Sequence, residues 1–577
     1  MPTIMIQSWS QGLWTAGPPS KNPSNTLTRM NNVLVQDEGT VATRSGSSHA
    51  VSLPNTGDGK WIASKHFYKV GLNLYDENGV PLSIVQAGRR LRAAAMPTTG
   101  VYEDMVFFPG AMKKVSNGIV SNWGISLIPG IPTSVDSGVL GNLTGDYTYK
   151  TAFYASSTHT LGPLSAASIS LNVLSKQVTV GNLPTTCTDS QVDTVNIYRS
   201  LGGIAGSWYF ADSVALGTAT YTDNLSDVGL GDLINNFLTA PPTGNLAGRY
   251  KNTMLLLDLA AQPRYVYPSQ PSQPESFTSI NFELLMDAGD TAEAIIEMGD
   301  YGVTFGNRGI YFYQQDPSGL IYTTKVVSGK GTKNGRTVAM GDAGIYFLSD
   351  DGVYVMAGMN VTKVSDFIDA LFRGVDRGGL STISDYSLTS GSFIGGRYYL
   401  TYYGADTQWH TVVFNEKKQR WKHYTGWQYT VNPTTGTLPI IGLPQSVAQH
   451  DWSPVTDDGT AFTSECGFNL PSSMTALVDI RYFRLGLQSA GTVTVSFYDD
   501  NNLKYAVDFV APSFDLSYVK HSLPLGTYFM QPEVRFSSSS PFTLKMFEAY
   551  VDYVRKYEAD YTRQFAQTPT TTTGGQQ

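Results

Sequence analysis

Apolar and polar residues alternate along almost the whole chain in runs of about four to eight residues, the pattern of half-buried strands. Turns rich in Gly, Asp and Asn separate the runs. One stretch, Met298 to Asp366, writes the pattern twice. Its first copy reads Met298-Gly299-Asp300-Tyr301-Gly302, then an apolar run to Gly309-Ile310-Tyr311-Phe312-Tyr313. Its second reads Met340-Gly341-Asp342-Ala343-Gly344, then Ile345-Tyr346-Phe347-Leu348, then Asp350-Asp351-Gly352-Val353-Tyr354-Val355-Met356. The offset, 340 minus 298, is 42 residues. A period of about 40–50 residues built from short strands is that of a β-propeller blade. A lone sheet of this kind has nothing to bury its face against, so such blades stack. Two unrelated hairpins would share turn residues, but not both the Met-Gly-Asp-x-Gly start and the strands after it.

The same reading extends in both directions. Residues 1–132 give a turn-rich lead and the first blades. In the lead, Arg29 to Val35 and Gly39 to Gly46 read as strands separated by a turn, and such a lead often lends a strand to the last blade of a closed propeller. Short strands follow at Trp61–Tyr68, Leu72–Tyr75, Leu82–Val85, Arg90–Ala95 and Asp104–Phe108, with a turn at Ser116-Asn117-Gly118. Residues 133–240 change character between flanking prolines, as an inserted domain does. Roughly seven short strands in about 100 residues predict an immunoglobulin-like sandwich there. Residues 241–458 resume the blades, about six to eight in total, with strong strands from Gly396 to Tyr403 and from Thr411 to Phe414. Residues 459–560 predict a second sandwich, and 561–577 a flexible Thr/Gln/Gly tail. The one amphipathic-helix pattern runs from Ser365 to Phe372. The predicted class is all-β: a propeller with an inserted fibronectin III/Ig-like sandwich and a C-terminal β-sandwich.

Composition agrees. Charged residues are 15% of the 577, against about 25% in an average globular protein, and aromatics are 12%, led by 34 Tyr. Net charge is −8 and the pI about 5.4, which excludes a chain-wide basic face for nucleic acid. Two cysteines, Cys187 and Cys466, make neither a disulfide framework nor a zinc site. The start, Met1 to Ser8, lacks the basic and apolar regions of a signal peptide. No apolar run approaches the ~18 residues of a membrane span.

Candidate chemistry is sparse. The acid pairs Asp350-Asp351, Asp457-Asp458 and Asp499-Asp500 sit beside Gly or Asn and read as solvated turns, since neighbouring strand side chains point to opposite faces. Asp76-Glu77-Asn78-Gly79 looks slightly like a calcium loop but lacks the later ligands, and reads as a hairpin turn. The seven histidines are isolated in sequence. No catalytic, metal-binding or cofactor-binding constellation stands out, and the expectation is no enzyme and no cofactor. One basic, Gly-rich segment, Ser328 to Arg336, lacks the phosphate-loop spacing and opens no helix. Its Lys330, Lys333 and Arg336 form either a blade-to-blade turn or a channel- or partner-facing basic loop.

Several segments, in order, resemble the tail-nozzle proteins of short-tailed bacteriophages, the tail tubular protein B and packaged-DNA stabilisation type. They are Asn22-Pro23-Ser24, Asn31-Asn32-Val33 and Arg44-Ser45-Gly46; Tyr198-Arg199 and Tyr221-Thr222-Asp223; and Gln262-Pro263-Arg264 with Tyr267-Pro268. Ser328-Gly329-Lys330-Gly331 and Phe347-Leu348-Ser349-Asp350-Asp351-Gly352-Val353-Tyr354 complete the series. The resemblance covers about residues 12 to 430 and extends weakly beyond. It implies a homo-hexameric ring at the far end of a virion tail, assembled in the host cytoplasm and carrying no membrane anchor. The ring would dock on a head-to-tail adaptor, meet tail fibres or other distal tail proteins, retain packaged DNA, and pass duplex DNA through its lumen without sequence-specific binding. An acidic lumen suits sliding DNA, and the insert is expected outside the ring.

Two readings of other kinds compete with it. One is a carbohydrate-binding or carbohydrate-cleaving propeller using Trp421 to Trp427 as stacking platforms, and the other is a receptor-binding tail protein.

Overall fold

The computed structural model describes residues 3–16, 22–23, 25–55, 57–88, 90–96, 105–116, 118–316, 320–432, 438–451, 456–472, 476–510 and 517–555. The Thr/Gln/Gly tail, Asp104 and Asn117 lie outside them. The chain is nearly all β, and the only α-helix among the described residues is Asp369–Phe372, preceded by the 3-10 turn Asp366–Ile368. That pair falls on the predicted amphipathic segment. Two compact units form, Gly59–Arg336 and Met1–Asp58 with Thr337–Gln577.

The first unit contains four-stranded antiparallel meanders. The first runs through Gly57–Ile62, Lys65–Val70, Asn73–Tyr75 and Pro81–Val85, and the second through Ala94–Ala95, Val106–Phe108, Lys113–Ser116 and Ile119–Asn122. The third comprises Gly244–Tyr250, Thr253–Leu259, Tyr265–Pro268 and Glu283–Leu284, and the fourth Ala292–Met298, Tyr301–Gly306, Gly309–Gln315 and Ile321–Ser328. Strand alternation decides which neighbour each residue meets. Val106 and Phe108 pack with Phe67 and Leu74 of the first sheet. Phe107, between them, turns the other way to Trp123, Met254 and Leu256, and stacks on Trp123 at 3.8 Å. Leu255 and Leu257 point away from that core to Tyr311 and Tyr313 of the fourth sheet. The second and third sheets are thus buried on both faces by their chain neighbours.

Two predicted strands differ here. Trp61–Tyr68 is two strands, because the chain turns at Ala63-Ser64 with Ala63 at φ 55°. Of Arg90–Ala95 only Ala94–Ala95 is a strand. The buried Gln86 side chain occupies the Arg92 backbone instead, donating to its carbonyl at 2.6 Å and accepting from its N–H at 2.9 Å.

Between the second and third meanders stand two further sheets. Thr133–Tyr147, Leu171–Gly181 and Tyr221–Asp223 form one; Thr160–Leu164, Tyr149–Ala155, Thr194–Leu201 and Ile204–Ala215 form the other. Leu143, Val173, Val178 and Val180 of the first meet Tyr149 and Ile197 of the second in one core. Leu171–Gly181 is a single long strand, kinked at Ser175 with φ 50°. At its heart Arg199 and Asp223 are both fully buried and paired at 2.7 Å, while Tyr149 donates to the same Asp223 oxygen at 2.8 Å.

The second unit has the meanders Ala339–Met340, Ile345–Ser349, Gly352–Ala357, Asn360–Lys363 and Ser390–Ile394, Arg397–Tyr403, Trp409–Asn415, Arg420–Thr425. The doubled sequence motif occupies equivalent places: Met298 pairs with Tyr301, and Met340 with Ile345, each closing the first hairpin of a meander. A further sheet orders Tyr429–Val431, Ile440–Leu443 and Ser446–His450 beside Ser47–Ser52. The N-terminal lead therefore lends Ser47–Ser52 to this sheet, while the two lead strands read from the sequence do not join it.

The rest of the lead goes elsewhere. Thr3–Ile6 and Val41–Thr43 pair with Phe542–Arg555, and Arg29–Asn31 pairs with Ser464–Asn469. They extend the two sheets formed by Ala476–Ser489, Thr492–Asp499, Asn502–Val510, Ser517–Ser522 and Pro532–Ser538. Val33, Val35 and Val41 share a core with Phe483, Phe497 and Phe547.

Candidate functional site

The second unit holds a polar cleft of about 510 Å³. Its walls come from four places: the lead (Trp14, Asn22, Arg29), the turn Val375 to Ser381, Asp406, and the C-terminal sheet with its turn residue Asn501 and strand residues Glu533 and Arg535. The turn reaches the lead only because residue 378 is glycine. It sits at φ 65°, and a Cβ there would lie 2.2 Å from the Thr28 carbonyl oxygen. Trp14 stacks on Phe367 at 4.5 Å, fixing one rim.

Most charges of the cleft hold its walls. Glu533 accepts from Arg535 at 2.7 Å and from Thr28 at 2.9 Å, and Arg535 also donates to Asn501 at 2.7 Å. Arg29 lies 3.4 Å from Glu465, whose carboxyl is raised by burial against the pull of Arg29 and Arg535. Asp376 accepts the Thr382 N–H at 2.7 Å.

Behind Asp406 a chain of imidazoles runs inward. Asp406 contacts His410 Nε2 at 3.0 Å, His410 Nδ1 contacts His423 Nε2 at 2.9 Å, and His423 Nδ1 contacts the Met30 carbonyl at 3.0 Å. Burial, then His410 and Arg29, hold His423 well below the usual histidine range. Burial raises the Asp406 carboxyl, but hydrogen bonds from His410, Gln408 N–H and Ser381 outweigh it and set it below its ordinary value. Three hydrogen bonds need three protons, and two neutral imidazoles beside a carboxylate supply two. The chain in its fully bonded state therefore carries one proton more, between Asp406 and His410. The isolated positions of these histidines in sequence conceal this; they meet because Trp409–Asn415 and Arg420–Thr425 are paired strands.

The residues singled out from sequence are placed as follows. Lys330 is half-buried, Lys333 exposed, and Arg336 turned inward, where Nη2 donates to the Gly59 carbonyl. Their loop is pinned to the fourth meander by Thr332 N–H on the Gly306 carbonyl at 2.9 Å. Asp76 accepts the N–H groups of Asn78 and Val80, as a hairpin turn does. Asp351 accepts from Tyr354 and Asp499 from the N–H groups of Met530 and Gln531. Asp457 is not a solvated turn residue: it is buried against Arg44, because the turn folds back over an unmatched guanidinium. Trp421 and Trp427 are fully buried, donating to the Val364 carbonyl and to Asp457, so neither offers a stacking face. Cys187 and Cys466 are free thiols.

Among the described residues no group of three or more His, Cys, Asp or Glu is placed to hold a metal, and no helix is long and apolar enough to cross a membrane. No protein-family model matches the chain, and no curated protein matches it by sequence. Solved structures similar to it include the WD40 domain of Toxoplasma gondii coronin, at 9% identity over 59% of this chain and 78% of that one, TM-score 0.22. Exo-β-1,3-galactanase from Phanerochaete chrysosporium is 10% identical over 70% and 100%, TM-score 0.19. A Bacillus subtilis arabinoxylan arabinofuranohydrolase is 10% identical over 75% and 97%, TM-score 0.15. Superposition this poor carries no argument about function.

Proposed function

We propose that this chain is a structural protein of a short-tailed bacteriophage tail, a nozzle-type subunit acting as a homo-hexamer that retains and then conducts packaged DNA. In this reading the seven small sheets, four in one unit and three in the other among the described residues, are propeller blades. The sandwich over residues 133–223 is the fibronectin III-like insert. The reading is carried by what the resembling residues do: they hold the fold. Asn32 accepts from Arg44 Nε at 3.0 Å and donates to Thr425 and to the Thr463 carbonyl. Arg199 and Asp223 form the buried pair of the sandwich. Tyr267 donates to Gln262, and Tyr354 to Asp351. A likeness lodged in such residues is a likeness of architecture, and architecture is what a tube subunit contributes. Heterologous faces on rigid β domains close into rings. Electron microscopy of the purified chain should give six-fold rings with the insert outside; a map placing the insert in the lumen contradicts its assigned place.

The carbohydrate reading retains one supporting observation, the polar cleft between Trp14 and Asn501. Polysaccharide binding that is lost in Trp14→Ala would favour it.

A further inference from the structure

The sheet containing Arg397–Tyr403, Trp409–Asn415 and Arg420–Thr425 gathers positive charge on one face. Its register sets Arg397 opposite Asn415 and Asn415 opposite Arg420, then Tyr399 opposite Val413 and Val413 opposite Lys422. Opposed residues share a face, as do residues two apart on a strand, so Arg397, Arg420 and Lys422 project together. Tyr399, Val413 and Tyr424 of that face pack onto Trp427, Ile441 and Ala448; Arg420 and Lys422 are buried there and Arg397 is half-buried.

Their donors are not used up. Arg420 is 5% exposed and places Nη1 and Nη2 on the carbonyls of Ser10 and Val35, leaving Nε buried and unbonded. Arg397 Nε is likewise buried and unbonded. Lys422 is 8% exposed and has no hydrogen bond or ion pair among the described residues. Lys418, in the turn before Arg420, adds a fourth charge and is paired with the exposed Asp37. No carboxylate among the described residues pairs with Arg397, Arg420 or Lys422. Burial, then Arg397, Arg420 and Lys418, push the Lys422 amine down to about 7. Buried charge without a counter-charge is strongly unfavourable, and here it stands in a chain of net charge −8.

We propose that Arg397, Arg420 and Lys422 form a binding site for a small tetrahedral oxyanion of the phosphate class. Such an ion offers several acceptor oxygens at once, enough for two guanidinium Nε–H groups and an ammonium converging from two strands. The depth of the cluster favours a free ion over a phosphate group carried on a polymer. The anion would supply the missing counter-charge and bind only the folded chain, so it stabilises by mass action.

The test is thermal unfolding of the full chain in potassium phosphate against potassium chloride at matched ionic strength, with phosphate affinity from calorimetry. Lys422→Met and Arg397→Gln are compared with Lys504→Met, an exposed lysine elsewhere. Lys422→Met removes a buried unpaired charge and Arg397→Gln a half-buried one, and both are expected to fold. The expected result is a phosphate-specific rise in the melting temperature of the wild type and of Lys504→Met, with affinity reduced about tenfold or more in each site variant. Equal stabilisation by chloride, or unchanged phosphate affinity in Lys422→Met, overturns the proposal. Competition by a DNA oligonucleotide as strong as that of free phosphate overturns the assignment to a small ion.

Discussion

Arg44 grips Asp457 with both terminal nitrogens, Nη1 to Oδ1 at 3.0 Å and Nη2 to Oδ2 at 2.5 Å, across 413 residues of chain. The guanidinium lies over the Phe462 ring at 3.8 Å, and Trp427 Nε1 and Ser47 Oγ complete the carboxylate at 3.2 and 3.1 Å. This pair ties the lead to the strand Thr456–Asp457, next to the strand Ser47–Ser52 that the lead lends to the small sheet. Removing one partner leaves the other charged and buried. Asp457→Ala should lose about 3–5 kcal/mol of stability, seen as a lower denaturant midpoint. Arg44→Met combined with Asp457→Ala should recover part of that loss. A single variant within the error of wild type would show that the pair does not hold the two ends together.

The Arg199–Asp223 pair makes a more local prediction. Asp223→Ala removes the buried partner of Arg199, leaving it the part-exposed Asp227 at 2.8 Å, and removes the acceptor of Tyr149. Hydrogen exchange should accelerate across residues 133–223, while the strands of Thr337–Gln577 stay protected. Uniform acceleration over the whole chain contradicts independent stability of this two-sheet core.

Lys422 predicts an alkaline gain. Its folded value, about 7, lies below the ordinary 10.5, so the unfolded chain holds the proton through that window and the folded chain does not. Stability therefore rises with pH between about 7 and 10.5, by on the order of a few kcal/mol for this group. Lys422→Met should be more stable than wild type at neutral pH and should lack the rise. Parallel pH profiles for the two proteins would refute it.

Histidine burial predicts the acid side. Burial, then Arg44, lowers His450 to about 4 from 6.5, so the unfolded chain takes up a proton that the folded chain refuses. Stability attributable to this residue is complete above pH 6.5 and falls as the pH drops towards about 4. His450→Gln should flatten that part of the profile, measured by denaturant titration at stepped pH. A slope unchanged by the substitution contradicts the assignment.

Local patterning carried much of the fold. Arg397–Tyr403 and Trp409–Asn415 contain aromatic and β-branched runs readable as strands, and the doubled Met-Gly-Asp motif marked equivalent hairpins. What stayed hidden is what long-range register creates. The turn at Ala63-Ser64 has no Gly or Asn to announce it, since its positive φ is imposed on alanine. Thr3 opposes Tyr550 and Met30 opposes Cys466, pairings that no local pattern encodes. Asp457 looks like any turn acid until Arg44 is brought to it. The Asp406–His410–His423 chain and the Arg397–Arg420–Lys422 cluster likewise exist only through strand pairing, so single residues gave no sign of either. The basic loop was visible in sequence, yet its three cations point to different surroundings.

A nozzle subunit must assemble into a ring, and the mass of the purified protein in solution tests this most directly. Light scattering on the chain alone and with the head-to-tail adaptor should find a six-subunit ring in at least one sample. A monomer in both would contradict the nozzle reading and leave the polar cleft beside Trp14 as the better guide to function.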